Sequence, residues 1–129
     1  MTAKEVVEAY SLALSKGDIP KAFSFFSPTA KWNQPGNNKF SGTKTGLEEI
    51  GKMLSEMMGA TQGTLAIKPT SSMMVNGNFV SCPVQFSANS GNKSVAMAGN
   101  DLYEVVNGKI IQVWLFSEEQ LKEDEFWGK

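Results

Sequence analysis

Residues 99–116 read GNDLYEVVNGKIIQVWLF. Asn107-Gly108 splits this stretch into two apolar runs, and both residues tolerate positive φ, so the pair predicts a tight β-hairpin. Side chains alternate between the two faces of a strand. Extended back to Ser94, the first strand presents Val95, Met97, Gly99, Asp101, Tyr103 and Val105 on one face. Ser94, Ala96, Ala98, Asn100, Leu102 and Glu104 take the other. Asp101 therefore stands among apolar neighbours. Burying a carboxyl group raises its pKa, because the anion is the costlier form to desolvate. A one-residue bulge near Gly99 would instead turn Asp101 outward, as an exposed carboxylate or a local cap. The second strand carries Ile110, Gln112, Trp114 and Phe116 on one face and Ile111, Val113 and Leu115 on the other. Both faces are apolar, so both need cover. Helices can cover one. A second copy of the chain is expected on the outer face, giving a homodimer.

Two further turn signals, Asn76-Gly77 and Ser90-Gly91-Asn92, lie upstream. With the first hairpin they predict a four-stranded antiparallel meander after Gly63. The chain before Gly63 is helical in pattern. Thr2 and Glu5 have capping-box spacing, and Val6, Val7, Tyr10, Ala13 and Leu14 follow at helical period until Gly17. Asp18 caps a second helix that takes in Phe23, Phe25 and Phe26 and ends at Pro28. A short strand is expected over 29–34. A third helix over 46–58 puts Leu47, Ile50, Leu54 and Met57 on one face, with Met53 beside them. Ser117 to Gln120 repeats the capping-box pattern before a short terminal helix. The class is α+β, a single domain over residues 1–129, with helices on one face of a mostly antiparallel sheet.

Composition excludes several chemistries. The chain has 129 residues, enough for one core. Twelve basic residues oppose 13 acidic ones, so a net charge of -1 gives no reason to expect nucleic acid or an anionic membrane. No apolar run approaches a membrane span, and the opening MTAKEVVEAY does not resemble a secretory leader. With Cys82 as the one cysteine, a cytoplasmic protein is expected. Histidine and arginine are absent. The usual general base near neutral pH, the common zinc ligand sets and bidentate anion clamps are therefore missing. No metal and no cofactor is expected.

The segment WNQPGNNKFSG, residues 32–42, is too rich in proline, glycine and amides for a helix. Trp32, Asn33 and Gln34 are placed on a strand near a pocket, with Pro35 to Gly42 turning over its mouth. The alternative is a structural turn with Trp32 as core filler. The methionines, Met57 among them, read as core filler or as an adaptable apolar lining. Glu118, Glu119, Glu123, Asp124 and Glu125 read as a solvated helix face, and Cys82 as an inert buried thiol.

Four stretches, EAYSLALSKGD, WNQPGNNKFSG, GNDLYEVVNGKIIQVWLF and EDEFW, occur in an order that resembles the SnoaL-like branch of the nuclear-transport-factor-2-like superfamily. That superfamily includes ketosteroid isomerase, polyketide cyclases and limonene epoxide hydrolase. The resemblance implies a cystatin-like cone, in which a strongly bent sheet wraps round the N-terminal helices and encloses an apolar pocket, and it implies a homodimer. Tyr10 resembles the oxyanion-donating tyrosine of the isomerase, and Asp101 its protonated oxyanion-hole aspartate. In polyketide aldol cyclases an aspartate at this strand position is the proposed acid/base. Gln34 stands where the isomerase has its base, and Asn33 where many relatives have histidine. These departures argue against steroid-type isomerisation. Without arginine, the Asp-Arg-Asp set of the epoxide hydrolases is excluded.

The expected function is therefore cofactor-independent proton transfer on an apolar carbonyl compound, as in an aldol cyclase, other lyase or isomerase. Asp101 and Tyr10 are the candidate catalytic residues. Trp32, Asn33, Gln34, Phe40, Met57 and Tyr103 are the candidate substrate contacts. A non-catalytic binder of a small apolar molecule, or a dimerisation domain with a vestigial pocket, stands as the alternative.

Overall fold

The hairpin at Asn107-Gly108 forms between β6 (Lys93–Val106) and β7 (Lys109–Ser117), with φ of 52° and 76° at its two turn residues. The structure is a computed structural model describing residues 1–129. In chain order the remaining elements are α1 (Ala3–Ser15), α2 (Ile19–Phe23), β1 (Phe26–Gln34), β2 (Gly42–Thr45), α3 (Leu47–Ala60), β3 (Ala66–Pro69), β4 (Met74–Asn76), β5 (Phe79–Ser90) and α4 (Gln120–Trp127). One seven-stranded sheet runs β2-β1-β7-β6-β5-β3, with β4 also on β5. Every pairing is antiparallel except β1 with β7. The expected meander is β4 to β7; β3 adds a strand on β5 that turn signals did not mark.

The first two helices begin where the caps predict. Thr2 and Glu5 exchange hydrogen bonds of 2.8 and 3.2 Å, and Asp18 accepts from the Lys21 N–H. The apolar face of α1, Val6, Val7, Tyr10 and Ala13, is buried against the concave side of the sheet. The face of α3 with Ile50, Met53 and Met57 packs toward β1 and β2. Each such side chain contributes about 1.5–3 kcal/mol by leaving water. The result is a cone: a curved sheet wrapped round helices, with a cavity left at its open end.

Three local expectations are corrected. The second helix ends at Phe23, not at Pro28. Phe26 begins β1, and Pro28 lies inside the register irregularity between Phe26 and Lys31, where no ladder N–H is required. The Ser117 capping box does not form. Glu119 is the N-cap of α4, without a side-chain cap bond, and the Ser117 hydroxyl turns to Glu123 instead. Strict alternation also fails on β7. Glu104 faces Gln112 while Val105 faces Ile110, so Ile111 is an extra residue. Ile110 thus joins Val113 inside the core. The outer face keeps Trp114 and Phe116, with Phe116 57% exposed.

Candidate functional site

Asp101 lies mid-strand on β6, on the inner face that alternation assigns it, and is only 7% exposed. The register sets Cys82 of β5 opposite it on one side and Leu115 of β7 on the other. Tyr103 lies two residues along the same face, and its hydroxyl acts on the carboxyl so as to favour the anion. Burial pushes the Asp101 pKa up, the Tyr103 hydrogen bond pulls it back, and the negative charge of Glu123 raises it again, leaving it at about 7. Burial, with the charge of Asp101 added, raises the Cys82 thiol to about 11 and pushes both Tyr10 and Tyr103 upward. Cys82 is therefore protonated and inert at neutral pH.

Asp101 forms part of the wall of a cavity whose lining is mostly apolar. Leu54 and Met57 come from α3, Val84 and Phe86 from β5, Met97 and Gly99 from β6, and Trp32 from β1. The space inside that water can enter is about 50 Å³. Gly99 has no room for a side chain, since a Cβ there would lie 2.8 Å from the Phe116 carbonyl oxygen. The Trp32 indole N–H donates to Gln34 Oε1 at 3.0 Å. An indole is only a donor, so the amide must face it with its oxygen and keep its NH2 for the cavity it lines.

The last helix closes the site. Glu123, 4% exposed, lines the cavity and accepts from the Ser117 hydroxyl (2.7 Å), the Gln120 amide (3.0 Å) and the Trp127 indole (3.1 Å). Trp127 lines the cavity too and packs edge-on against Phe40, with ring centroids 5.1 Å apart. The loop after β1 clasps this helix. Asp124 Oδ1 accepts from the Asn37 N–H, the Asn38 amide and the Gln120 amide, and the Lys39 N–H donates to the Gly128 carbonyl at 2.8 Å. Gly36, at φ +83°, is required here, because a Cβ would run into Gln120 and Asp124. The proline-glycine-asparagine segment thus holds the chain's own C-terminal helix.

The structure brings Asp101, Trp32, Gln34 and Met57 to one cavity. Tyr103 lies directly behind Asp101. Tyr10 is deeper still, buried and edge-on to Phe26 (5.1 Å) and Tyr103 (5.9 Å). The partner of Asp101 is therefore Tyr103 rather than Tyr10. Three expected contacts are corrected, because Tyr103, packed inward against Tyr10, does not line the cavity, and neither do Asn33 and Phe40. Asn33 points to the opposite face of β1, as alternation requires between Trp32 and Gln34, and bonds the Val113 carbonyl, Gln112 and Thr43. Phe40 is buried under Trp127, outside this cavity. No three acidic or cysteine side chains converge on a point that would suit a metal ion.

A family model described as the SnoaL-like domain matches residues 7–113. The chain belongs to the SnoaL-like family. A protein of unknown function with a cystatin-like fold from Xanthomonas campestris is 38% identical over the whole of both chains, with a TM-score of 0.95. An NTF2-like protein of unknown function from Burkholderia pseudomallei is 14% identical, also over the whole of both chains, at a TM-score of 0.85. TerC, co-crystallised with polyporic acid, is 16% identical over 96% of each chain, at a TM-score of 0.82. No curated protein matches in sequence. The cone fold implied by the resemblance is thus that of this SnoaL-like chain.

Within this SnoaL-like cavity, Glu123, Trp127 and Ser117 are residues that sequence reasoning left outside the site. Glu123 looked solvated because its neighbours Lys122 and Glu125 are exposed. One signal was available: Glu123 and Trp127 are four apart, hence on one helix face, and an acceptor beside an indole donor suggests a buried pair.

Proposed function

We propose that this SnoaL-like protein binds a small apolar carbonyl compound and moves a proton on it without a cofactor, as a lyase, cyclase or isomerase does. The observation that carries this is Asp101: a buried carboxyl in an apolar cavity, with a pKa raised to about 7 chiefly by burial. Near neutral pH it is populated both as donor and as acceptor, which suits general acid–base catalysis. As the acid it hydrogen-bonds or protonates a carbonyl oxygen. As the anion it takes a proton from the adjacent carbon, while the Tyr103 hydroxyl stabilises its charge. The Gln34 NH2 orients the substrate. TerC, taken up with polyporic acid on this fold, is consistent with a small-molecule pocket.

Gln34 favours a second reading. It occupies the position of the family's base and cannot accept a proton, and a cavity with about 50 Å³ open to water is narrow. A binding protein without turnover has the same pocket. Incubation with apolar ketones in deuterated water separates the two. Deuterium entering the carbon next to the carbonyl, and lost in Asp101→Asn, supports proton transfer. Ketone binding with no exchange supports the binder.

A homodimer through the outer sheet face is part of the proposal. There Phe79 and Trp114 stack with centroids 6.1 Å apart, next to exposed Phe116, on a face no helix covers. A cytoplasmic location is proposed from the lone, reduced, buried cysteine.

A further inference from the structure

Two acids from different elements, Asp101 of β6 and Glu123 of α4, line one cavity, and no lysine lines it. The chain has no arginine or histidine to balance them. Its one ion pair, Lys122 with Glu119, is at the surface. The three donors that hold Glu123, a hydroxyl, an amide and an indole, are neutral. They satisfy its hydrogen bonds but leave a buried negative charge without a counterion, which is costly. Apart from the Tyr103 hydroxyl, no side chain acts on the Asp101 carboxyl as a donor, so it keeps acceptor capacity in the cavity it lines. Trp32, Phe86 and Trp127 supply aromatic wall. The negative face of an aromatic ring attracts a cation, most strongly for indole and where water is excluded.

We infer that this cavity selects small organic cations, an ammonium group carried on an apolar body, over neutral and anionic ligands of the same size. The inference rests on the reading of the cavity as a ligand pocket and not on proton transfer. The cation would sit between the carboxyl groups of Asp101 and Glu123, against the tryptophans. It supplies the countercharge that the protein lacks. A ligand bearing both an amine and a carbonyl would meet both demands of the site.

The charge state of Asp101 should tune this selectivity. The ionisable groups facing it are Cys82 from β5, Tyr103 from β6, Tyr10 from α1 and Glu123 from α4. α3 presents the apolar Leu54 and Met57 to the cavity, and β7 presents Leu115 and the uncharged Ser117, whose hydroxyl is given to Glu123, so neither adds an ionisable group. The thiol and phenols are pushed upward, and Glu123 is the partner whose charge raises the Asp101 pKa.

Calorimetric titration with benzylamine, benzyl alcohol and benzoate tests the inference, with a panel of apolar ketones run alongside. At pH 8 benzylamine is cationic and should bind at least ten-fold more tightly than benzyl alcohol, with benzoate weakest. Its affinity should rise between pH 5.5 and pH 8 as Asp101 ionises. Asp101→Asn should abolish that rise, and Glu123→Gln should bring the benzylamine to benzyl alcohol ratio toward one. Circular dichroism confirms folding of each variant. Equal affinities, a preference for benzoate, or a cation preference that survives both substitutions would overturn the inference. Ketone binding without benzylamine binding overturns it and leaves the carbonyl reading standing. Benzylamine binding without ketone binding does the reverse, and failure of every ligand overturns both.

Discussion

The side-chain amide of Asn38 donates to the Asp124 carboxylate at 2.8 Å, joining the loop after β1 to the last helix across 86 residues of sequence. Burial works against the Asp124 anion, but hydrogen bonds from Asn38, the Asn37 N–H and Gln120 outweigh it and hold its pKa below the ordinary carboxylate value. Because α4 carries Glu123 and Trp127 into the cavity, this clasp shapes the site.

Asp124→Ala should loosen α4 and cost on the order of 1 kcal/mol, the loss of charge-assisted hydrogen bonds discounted for partial exposure. Amide exchange should speed up over residues 120–128 and not in β6. A depressed carboxylate pKa stabilises above its unfolded value, so the clasp should hold at neutral pH and weaken as pH falls below about 4. Equal exchange in variant and wild type at pH 7 would count against the clasp.

The pH dependence from Asp101 has the opposite sign. Its folded pKa is raised from 3.8 to about 7, so the folded state binds the proton more tightly. Stability from this group is present below pH 4 and is lost as pH rises toward 7, by at most roughly 4 kcal/mol. In urea unfolding, Asp101→Asn should gain on the wild type by a few kcal/mol between pH 5 and pH 8. A constant difference across that range would contradict the burial of a titrating carboxyl.

Tyr103→Phe removes the hydroxyl that stabilises the Asp101 anion. The Asp101 midpoint should move up by about one pH unit, the worth of one hydrogen bond to a charged group. Tyr10→Phe should leave that midpoint nearly fixed. A larger effect from Tyr10 would restore it as the partner of Asp101.

The outer sheet face should make the protein a dimer at micromolar concentration. Trp114→Glu should give a folded monomer by sedimentation equilibrium, since a charge there meets its own symmetry copy. A monomeric wild type would refute the dimer.

The hairpins, the caps of the first two helices and the inward face of Asp101 were legible in the sequence because each depends on neighbours within a few residues. Asn107-Gly108 needs only its own φ values, and Asp101 needs only the period of its strand. The bulge at Ile111 was not legible, since its cost and gain lie in the partner strand, and with it Ile110 moved from the outer to the inner face. Glu123 and Trp127 were hidden for a similar reason. An eight-residue acidic helix has no strong pattern of its own, and its burial is decided by Asn37, Asn38 and Phe40, some eighty residues away. Gln34 was placed correctly by alternation, but its bond to Trp32, which sets the direction of its amide, is a matter of rotamers.

The most direct test is a carboxyl-carbon NMR titration of Asp101 in the free protein. A midpoint near pH 7, shifted upward in Tyr103→Phe, is expected of a buried acid–base group in this cavity. A midpoint near pH 4 would mean a solvated carboxylate, and would contradict the proton-transfer site built on Asp101.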